Sequence, residues 1–348
     1  MKHLLLVCIA FLPLFAWGQT MKEAVTLFEQ GQLDSAIAIS KQHTATEPGA
    51  YQIIGQALVK EGRYNEAIPY LEKGKNTVNA EPSIRAWCMN DLGIAYFMQG
   101  NYSKAKENIT SCIALNATRN SVRSAANVAD LFGLGELYDT WVKKETKHFV
   151  FHFQHLPDNA DFYIAASEAA YDSINRFFRS VLPKKIDYFV WDDQKQAENL
   201  FHQPLAFTKT VFCVTHTATG HTRGHEIAHS ISMYATNIKK PNKLIFEGLA
   251  SYFDFSGRDW ITESHRMLAG HGGSISIIDL WKNGEHLPEG ILYPVGAALT
   301  GELIQKFGRE KFIQLLADQS YENARIIYGP GLDDALAKLE QKINTGKQ

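Results

Sequence analysis

Two rhythms of apolar and polar positions run along this chain, and one gives way to the other near residue 145. In the first third, Gly31, Gly62 and Gly100 open three similar stretches, "GQLDSAIAIS", "GRYNEAIPYLEKG" and "GNYSKAKENITSC". Each glycine is followed two positions later by an apolar residue and five positions later by an alanine, Ala36, Ala67 or Ala105. Gly55 and Gly93 precede the second and third turn glycines by the same interval, with Ala24 in that place in the first copy. The pattern predicts paired helices joined at a glycine, with alanines small enough to let the partners approach. The stretch "SVRSAANVADLFGLGELYDTWVKK" then predicts one more helix, which would cap the open end of the stack.

The second rhythm begins with alternation. Phe149, Phe151 and Phe153 interleave with Val150, His152 and Gln154, which predicts a strand. An amphipathic helix follows over "ADFYIAASEAAYDSINRFFRSVL", then strands over "KKIDYFVWDD" and "TKTVFCVTHT". Residues 224–238 return to a helical period, with Ile227, Ile231, Tyr234 and Ile238 on one stripe. The helix "NKLIFEGLASYFDF" comes next, burying Leu244, Leu249, Tyr252 and Phe253 and leaving Glu247 on the opposite side with Ser251 and Asp254. The expected class is α+β: a helical array over 19–142, then a domain over 145–345 with a small sheet and a mainly helical C-terminal part.

The glycine spacings (31 to 62, 62 to 100) straddle the ~34-residue period of the tetratricopeptide repeat. Residues 20–117 resemble that family, best in the third copy through Leu92, Gly93, Tyr96, Gly100, Tyr102, Ala105 and Ile109. The resemblance implies a concave face that takes up a segment of a protein partner.

Composition narrows the picture. With 35 basic and 37 acidic residues and a net charge of −2, the chain has no basic stripe, and a nucleic-acid partner is excluded. At the amino end, Lys2, the apolar run Leu4–Phe15 and the small residues of Ala16-Trp17-Gly18 form the pattern of a signal peptide over 1–18, cut before Gln19. The run is shorter than the ~20 residues of a spanning helix and is interrupted by Pro13. The mature chain is therefore expected to be exported, periplasmic or secreted, with no membrane span. It keeps Cys88, Cys112 and Cys213 and has no CxxC pair, which rules out a thiolate zinc cage. Cys88 and Cys112 fall side by side on paired helices, either as a disulfide or as two small buried residues.

The chemistry concentrates in "TRGHEIAHSISMYATN". His225 and His229 are four apart on one helix, so their imidazoles project from the same face, one turn above the other. That pair supplies two nitrogen ligands for a zinc ion, and Glu226 lies about 100° round the helix from His225, near the metal but not on it. Glu247, on the next predicted helix, is the expected third ligand. Three protein ligands leave one coordination position for water, the arrangement of a catalytic site.

His225-Glu226-Ile227-Ala228-His229 and Phe246-Glu247-Gly248-Leu249-Ala250 resemble the ligand motifs of the gluzincin metallopeptidases, of thermolysin-like and aminopeptidase-like fold. "YPVGAALTGELIQKFGREKFIQLL" is similar to a later helix of that superfamily. The resemblance implies one zinc ion held by His225, His229 and Glu247, with Glu226 as general base. It also implies hydrolysis of a peptide or protein substrate, and a tyrosine or histidine on a later element as oxyanion donor. Tyr293 is the expected donor, with His265, His271 and His286 as rivals, and Asp254 is a candidate to orient a histidine ligand. No Gly-x-Met-Glu-Asn segment precedes the zinc helix, which argues against a typical aminopeptidase. The strand "TKTVFCVTHT" is the candidate edge for pairing with an extended peptide. The competing expectation is a repeat-containing binding scaffold built on an inactive peptidase-like domain, and hydrolysis of a non-peptide bond also stays open.

Overall fold

The computed structural model describes residues 20–203, 206–270, 273–284 and 287–346. The expected signal peptide lies outside them. The chain divides into two units between Gly135 and Glu136, a few residues ahead of the change in sequence rhythm.

The first unit is all helix: α1 (Met21–Glu29), α2 (Leu33–Gln42), α3 (Pro48–Lys60), α4 (Tyr64–Asn76), α5 (Pro82–Met98), α6 (Tyr102–Leu115) and α7 (Arg119–Leu131). Gly31, Gly62 and Gly100 sit in the turns α1–α2, α3–α4 and α5–α6 with φ of +76°, +75° and +73°, a conformation that only glycine adopts without steric cost. Ala36, Ala67 and Ala105 are completely buried where paired helices meet. Pro48 and Pro82 begin α3 and α5, where the missing N–H costs no helical hydrogen bond. Cys88 and Cys112 are buried free thiols, and Cys112 Sγ lies 3.1 Å from the Ala86 carbonyl, so of the two readings the cysteines act as small core residues. The capping helix ends at Leu131, short of its expected length, because Gly133 and Gly135 break the helical run.

In the second unit the residues expected to finish that helix become strand β1 (Val142–Glu145). The remaining strands are β2 (Phe149–Phe153), β3 (Ile186–Trp191), β4 (Phe207–Lys209) and β5 (Val214–Ala218), in the order β1-β2-β3-β5-β4. β2, β3 and β5 are parallel, and the two outer strands are antiparallel to their neighbours. The helices are α8 (Ala160–Phe178), α9 (Gln194–Phe201), α10 (His225–Thr236), α11 (Lys243–Tyr252), α12 (Trp260–Ala269), α13 (Ile277–Asn283), α14 (Glu289–Phe307), α15 (Arg309–Leu315), α16 (Tyr321–Tyr328) and α17 (Gly331–Thr345).

Phe149, Phe151 and Phe153 point with Ile186, Tyr188 and Val190 into the core beside α8 and α10. Val150 is buried as well, and His152, Phe189 and His216 stack as a ladder on the sheet's second face. The strand alternation therefore separates two covered faces, not core from solvent. The stretch "TKTVFCVTHT" is not one strand. A 3-10 turn at Thr210–Phe212 and Cys213 at φ +50° fold it back, so β4 is the sheet edge and β5 is interior.

Candidate functional site

α10 begins at His225, directly after Gly224, and closes at Asn237, whose left-handed backbone (φ +48°) stops the helix. Its apolar stripe behaves as the sequence implies: Ile227 and Ile231 are fully buried, and the Tyr234 hydroxyl donates to the Val211 carbonyl at 3.0 Å. Ile238 falls beyond the helix end. Burial of that stripe fixes the rotation of α10 and turns His225 and His229 away from the hydrophobic core.

α11 is capped by Asn242, whose side chain accepts from the Leu244 N–H at 3.1 Å. Leu244 and Leu249 are buried as expected, whereas Tyr252 is 38 % exposed and belongs to the surface. The position of α11 is set by α14. A Cβ on Gly248 would lie 2.3 Å from the Gly296 carbonyl carbon, and a Cβ on Gly296 would lie 2.7 Å from Gly248 Cα. Only two glycines let the helices cross backbone to backbone, and this crossing sets the neighbouring Glu247 opposite the histidines and Tyr293 beside them.

Three side chains converge there. His225 Nε2 lies 3.3 Å and His229 Nε2 3.4 Å from the same carboxylate oxygen, Glu247 Oε2. The candidate ligand atoms of these three residues all fall within 4.8 Å of one another. The His229 ring stacks on Phe246 at 4.3 Å, and its buried Nδ1 has no hydrogen-bond partner among the described residues. Burial alone would raise the Glu247 carboxyl, but hydrogen bonds from His225 and His229 hold it well below the usual carboxylate range. Burial alone would lower His225, and its hydrogen bond to Glu247 instead raises it. Such a set of two imidazoles and a carboxylate can hold a divalent cation.

Glu226, 5 % exposed, does not join this cluster. Its carboxylate Oε2 accepts a hydrogen bond from Thr208 Oγ1 at 2.7 Å. A cavity of about 430 Å³ runs past His221, His225, Glu226, Asp254 and Tyr293. A smaller one of about 220 Å³ is lined by Thr208, Glu226, His229 and Glu247, and shares His225, Glu226 and Tyr293 with the first.

Tyr293, in the first turns of α14, stacks on the His225 ring at 5.5 Å. Burial first, and then the negative charge of Glu247, raise its hydroxyl well above the usual tyrosine range, which keeps it a donor. His265 faces away, its Nδ1 2.9 Å from the Ile343 carbonyl of α17, and so drops out as a rival. His271 and His286 lie outside the described residues. Asp254 lines the cavity and its charge reaches His225, but its carboxylate accepts the Ser256 N–H at 2.7 Å, and no hydrogen bond joins it to either histidine among the described residues. Two residues not marked by any motif also line the site. His221 lines the cavity and is lowered by burial, with Nδ1 3.3 Å from Thr217 Oγ1. Thr208 becomes visible only once β4 pairs with β5 and turns its hydroxyl toward α10.

The model of the tetratricopeptide repeat family matches residues 49–117, which span α3 to α6, and repeats of this family are protein-interaction modules. A comparison with curated proteins finds no match for the chain. Among the described residues, no helix is long and apolar enough to cross a membrane.

Proposed function

We propose that this chain is an exported, zinc-dependent metallopeptidase of the gluzincin type, carrying a tetratricopeptide-like array for a protein partner. The observation that carries the reading is the convergence of two imidazole nitrogens on one carboxylate oxygen, at 3.3 and 3.4 Å, beside a buried glutamate that stays out of the cluster. Ligands at about 2.0–2.1 Å from one zinc ion, at the tetrahedral angle, stand about 3.3 Å from each other. Glu247 and each histidine have that separation.

His225, His229 and Glu247 would hold the ion. When bound, zinc supplies Lewis acidity, lowering the pKa of a water toward ~7 and polarising a carbonyl. Glu226 takes a proton from the attacking water as its oxygen bonds to the carbonyl carbon. As the C–N bond breaks, Glu226 hands that proton to the departing amine. Tyr293 donates a hydrogen bond to the carbonyl oxygen as negative charge builds on it. The edge strand β4 offers backbone groups for an extended peptide.

The test joins metal analysis to activity. Purified chain from residue 19 onward should carry about one zinc ion and cleave members of a peptide library, and a chelator should abolish cleavage. Glu226→Gln should keep the metal and lose ~10²–10⁴ in rate. A Glu226→Gln variant as fast as the parent overturns the mechanism. A chain with no zinc and no cleavage leaves the repeat array as the functional part, and the protein is then a binding scaffold.

A further inference from the structure

The geometry points to Thr208 as the residue that positions the Glu226 carboxylate; this rests on the reading of Glu226 as general base. Thr208 lies in the three-residue edge strand β4, directly across from Thr215 of β5. Its Oγ1 is 2.7 Å from Glu226 Oε2, 3.3 Å from the Glu226 backbone carbonyl and 2.8 Å from Thr215 Oγ1. A hydroxyl carries one hydrogen, and an ionised carboxylate and a carbonyl only accept. The Thr208 hydrogen therefore goes to Glu226, and the fully buried Thr215 supplies the hydrogen that Thr208 Oγ1 accepts.

The resulting order is Thr215 to Thr208 to Glu226, three groups with their donors and acceptors matched. It engages Oε2 and leaves Oε1 to meet the water. A glutamate side chain has three rotatable bonds, and nothing in the His225, His229 and Glu247 cluster holds Glu226. The hydrogen bond from β4 selects one rotamer ahead of the reaction, as a preorganised site requires. The same short strand carries the edge on which an extended substrate would lie, so substrate and base take their alignment from one element.

The test uses Thr208→Val, which keeps the β-branched shape and removes the hydroxyl, and Thr208→Ser, which restores it. Thr208→Val should lower kcat about 10–100-fold, the range for losing an outer partner of a functional group, with KM within about twofold and zinc content unchanged. Thr208→Ser should recover most of the loss. In a Glu226→Gln background Thr208→Val should have no further effect, because the residue acts only through the base. Thr215→Val should give a smaller loss in the same direction and serves if Thr208→Val does not fold. A crystal structure of Thr208→Val should show Glu226 in more than one rotamer, and that of Thr208→Ser in one. Parental kcat in Thr208→Val, or an undiminished effect in the Glu226→Gln background, overturns the assignment while leaving the peptidase reading intact. A parent chain that cleaves nothing, with or without zinc, overturns both.

Discussion

Replacing Gly248 by alanine asks whether the crossing of α11 and α14 builds the site. An added Cβ would lie 2.3 Å from the Gly296 carbonyl carbon and 2.5 Å from both its Cα and its oxygen, where ordinary contact is 3.4–4 Å. The obstacle is backbone on a facing helix, so no side chain can swing aside, and the helices must part by about 1 Å to relieve the overlap. Two energies compete. Alanine favours a helix over glycine by ~1 kcal/mol, and overpacking costs ~1–3 kcal/mol, so a net loss near 1 kcal/mol is expected. In a unit of this size that lowers Tm by about 2–4 °C.

The effect on the site should be larger than the effect on the fold. Glu247 precedes Gly248, and a shift of about 1 Å cannot preserve the ligand spacing that the proposed zinc site requires, so on that proposal zinc affinity should fall at least ~10-fold. Competition with a chelator of known affinity reads the first quantity and thermal unfolding the second. Gly49→Ala in α3 is the control, because its Cβ would meet only Ile84 Cδ1, at 3.7 Å. A Gly248→Ala chain that binds zinc like the parent and unfolds no earlier would refute the claim that this crossing sets the ligand geometry.

Tyr293→Phe keeps the ring on His225 and removes the hydroxyl. A ~10²-fold loss in kcat with zinc content and KM nearly unchanged is expected in steady-state kinetics, and an unchanged kcat removes Tyr293 from the mechanism. On the second sheet face, burial alone would raise the Asp187 carboxyl, yet the Lys184 ammonium and His152 (Nε2 at 2.7 Å) hold it below the usual carboxylate range. Its folded pKa is thus lower than its unfolded one, so its stabilisation is present above ~pH 4 and is lost as pH falls through the folded value. Asp187→Asn removes the carboxylate charge that faces the buried Lys184 and should cost ~3–5 kcal/mol at pH 7, with the deficit shrinking below pH 4 in urea titrations. An equal deficit at both pH values counts against the ion pair. Burial raises the thiols of Cys88, of Cys112 to about 11 and of Cys213 to about 12. All three should resist alkylation in the native chain and react together on unfolding without reductant. A thiol that stays blocked until reductant is added would contradict the free-thiol structure.

The helical pairs of the first unit were legible because their determinants are local. A turn glycine and an alanine at the contact act within a few residues of themselves, and the structure has them where the pattern puts them. The rotation of α10 was legible for the same reason, since an apolar stripe dictates which face a helix buries and therefore where His225 and His229 point. The sequence misled where the outcome depends on what packs from elsewhere. Val150 alternates with the core phenylalanines and is nonetheless buried, on the sheet face it shares with Phe189 and His216. "TKTVFCVTHT" reads as one strand and is two, because Cys213 adopts a left-handed backbone that composition does not announce. The end of the capping helix was lost to β1, whose partner β2 pays for the extended backbone with hydrogen bonds.

For the site, the sequence by itself determined the identity of the two imidazoles and the carboxylate beside them, because helical spacing is a local property. Only the tertiary structure decided that Glu247 faces them, since that depends on two glycines 48 positions apart (Gly248 and Gly296) allowing two helices to touch. It alone brought Thr208 to Glu226 and Tyr293 to His225. Contacts between residues far apart in sequence are set by packing, and packing is a property of the whole unit.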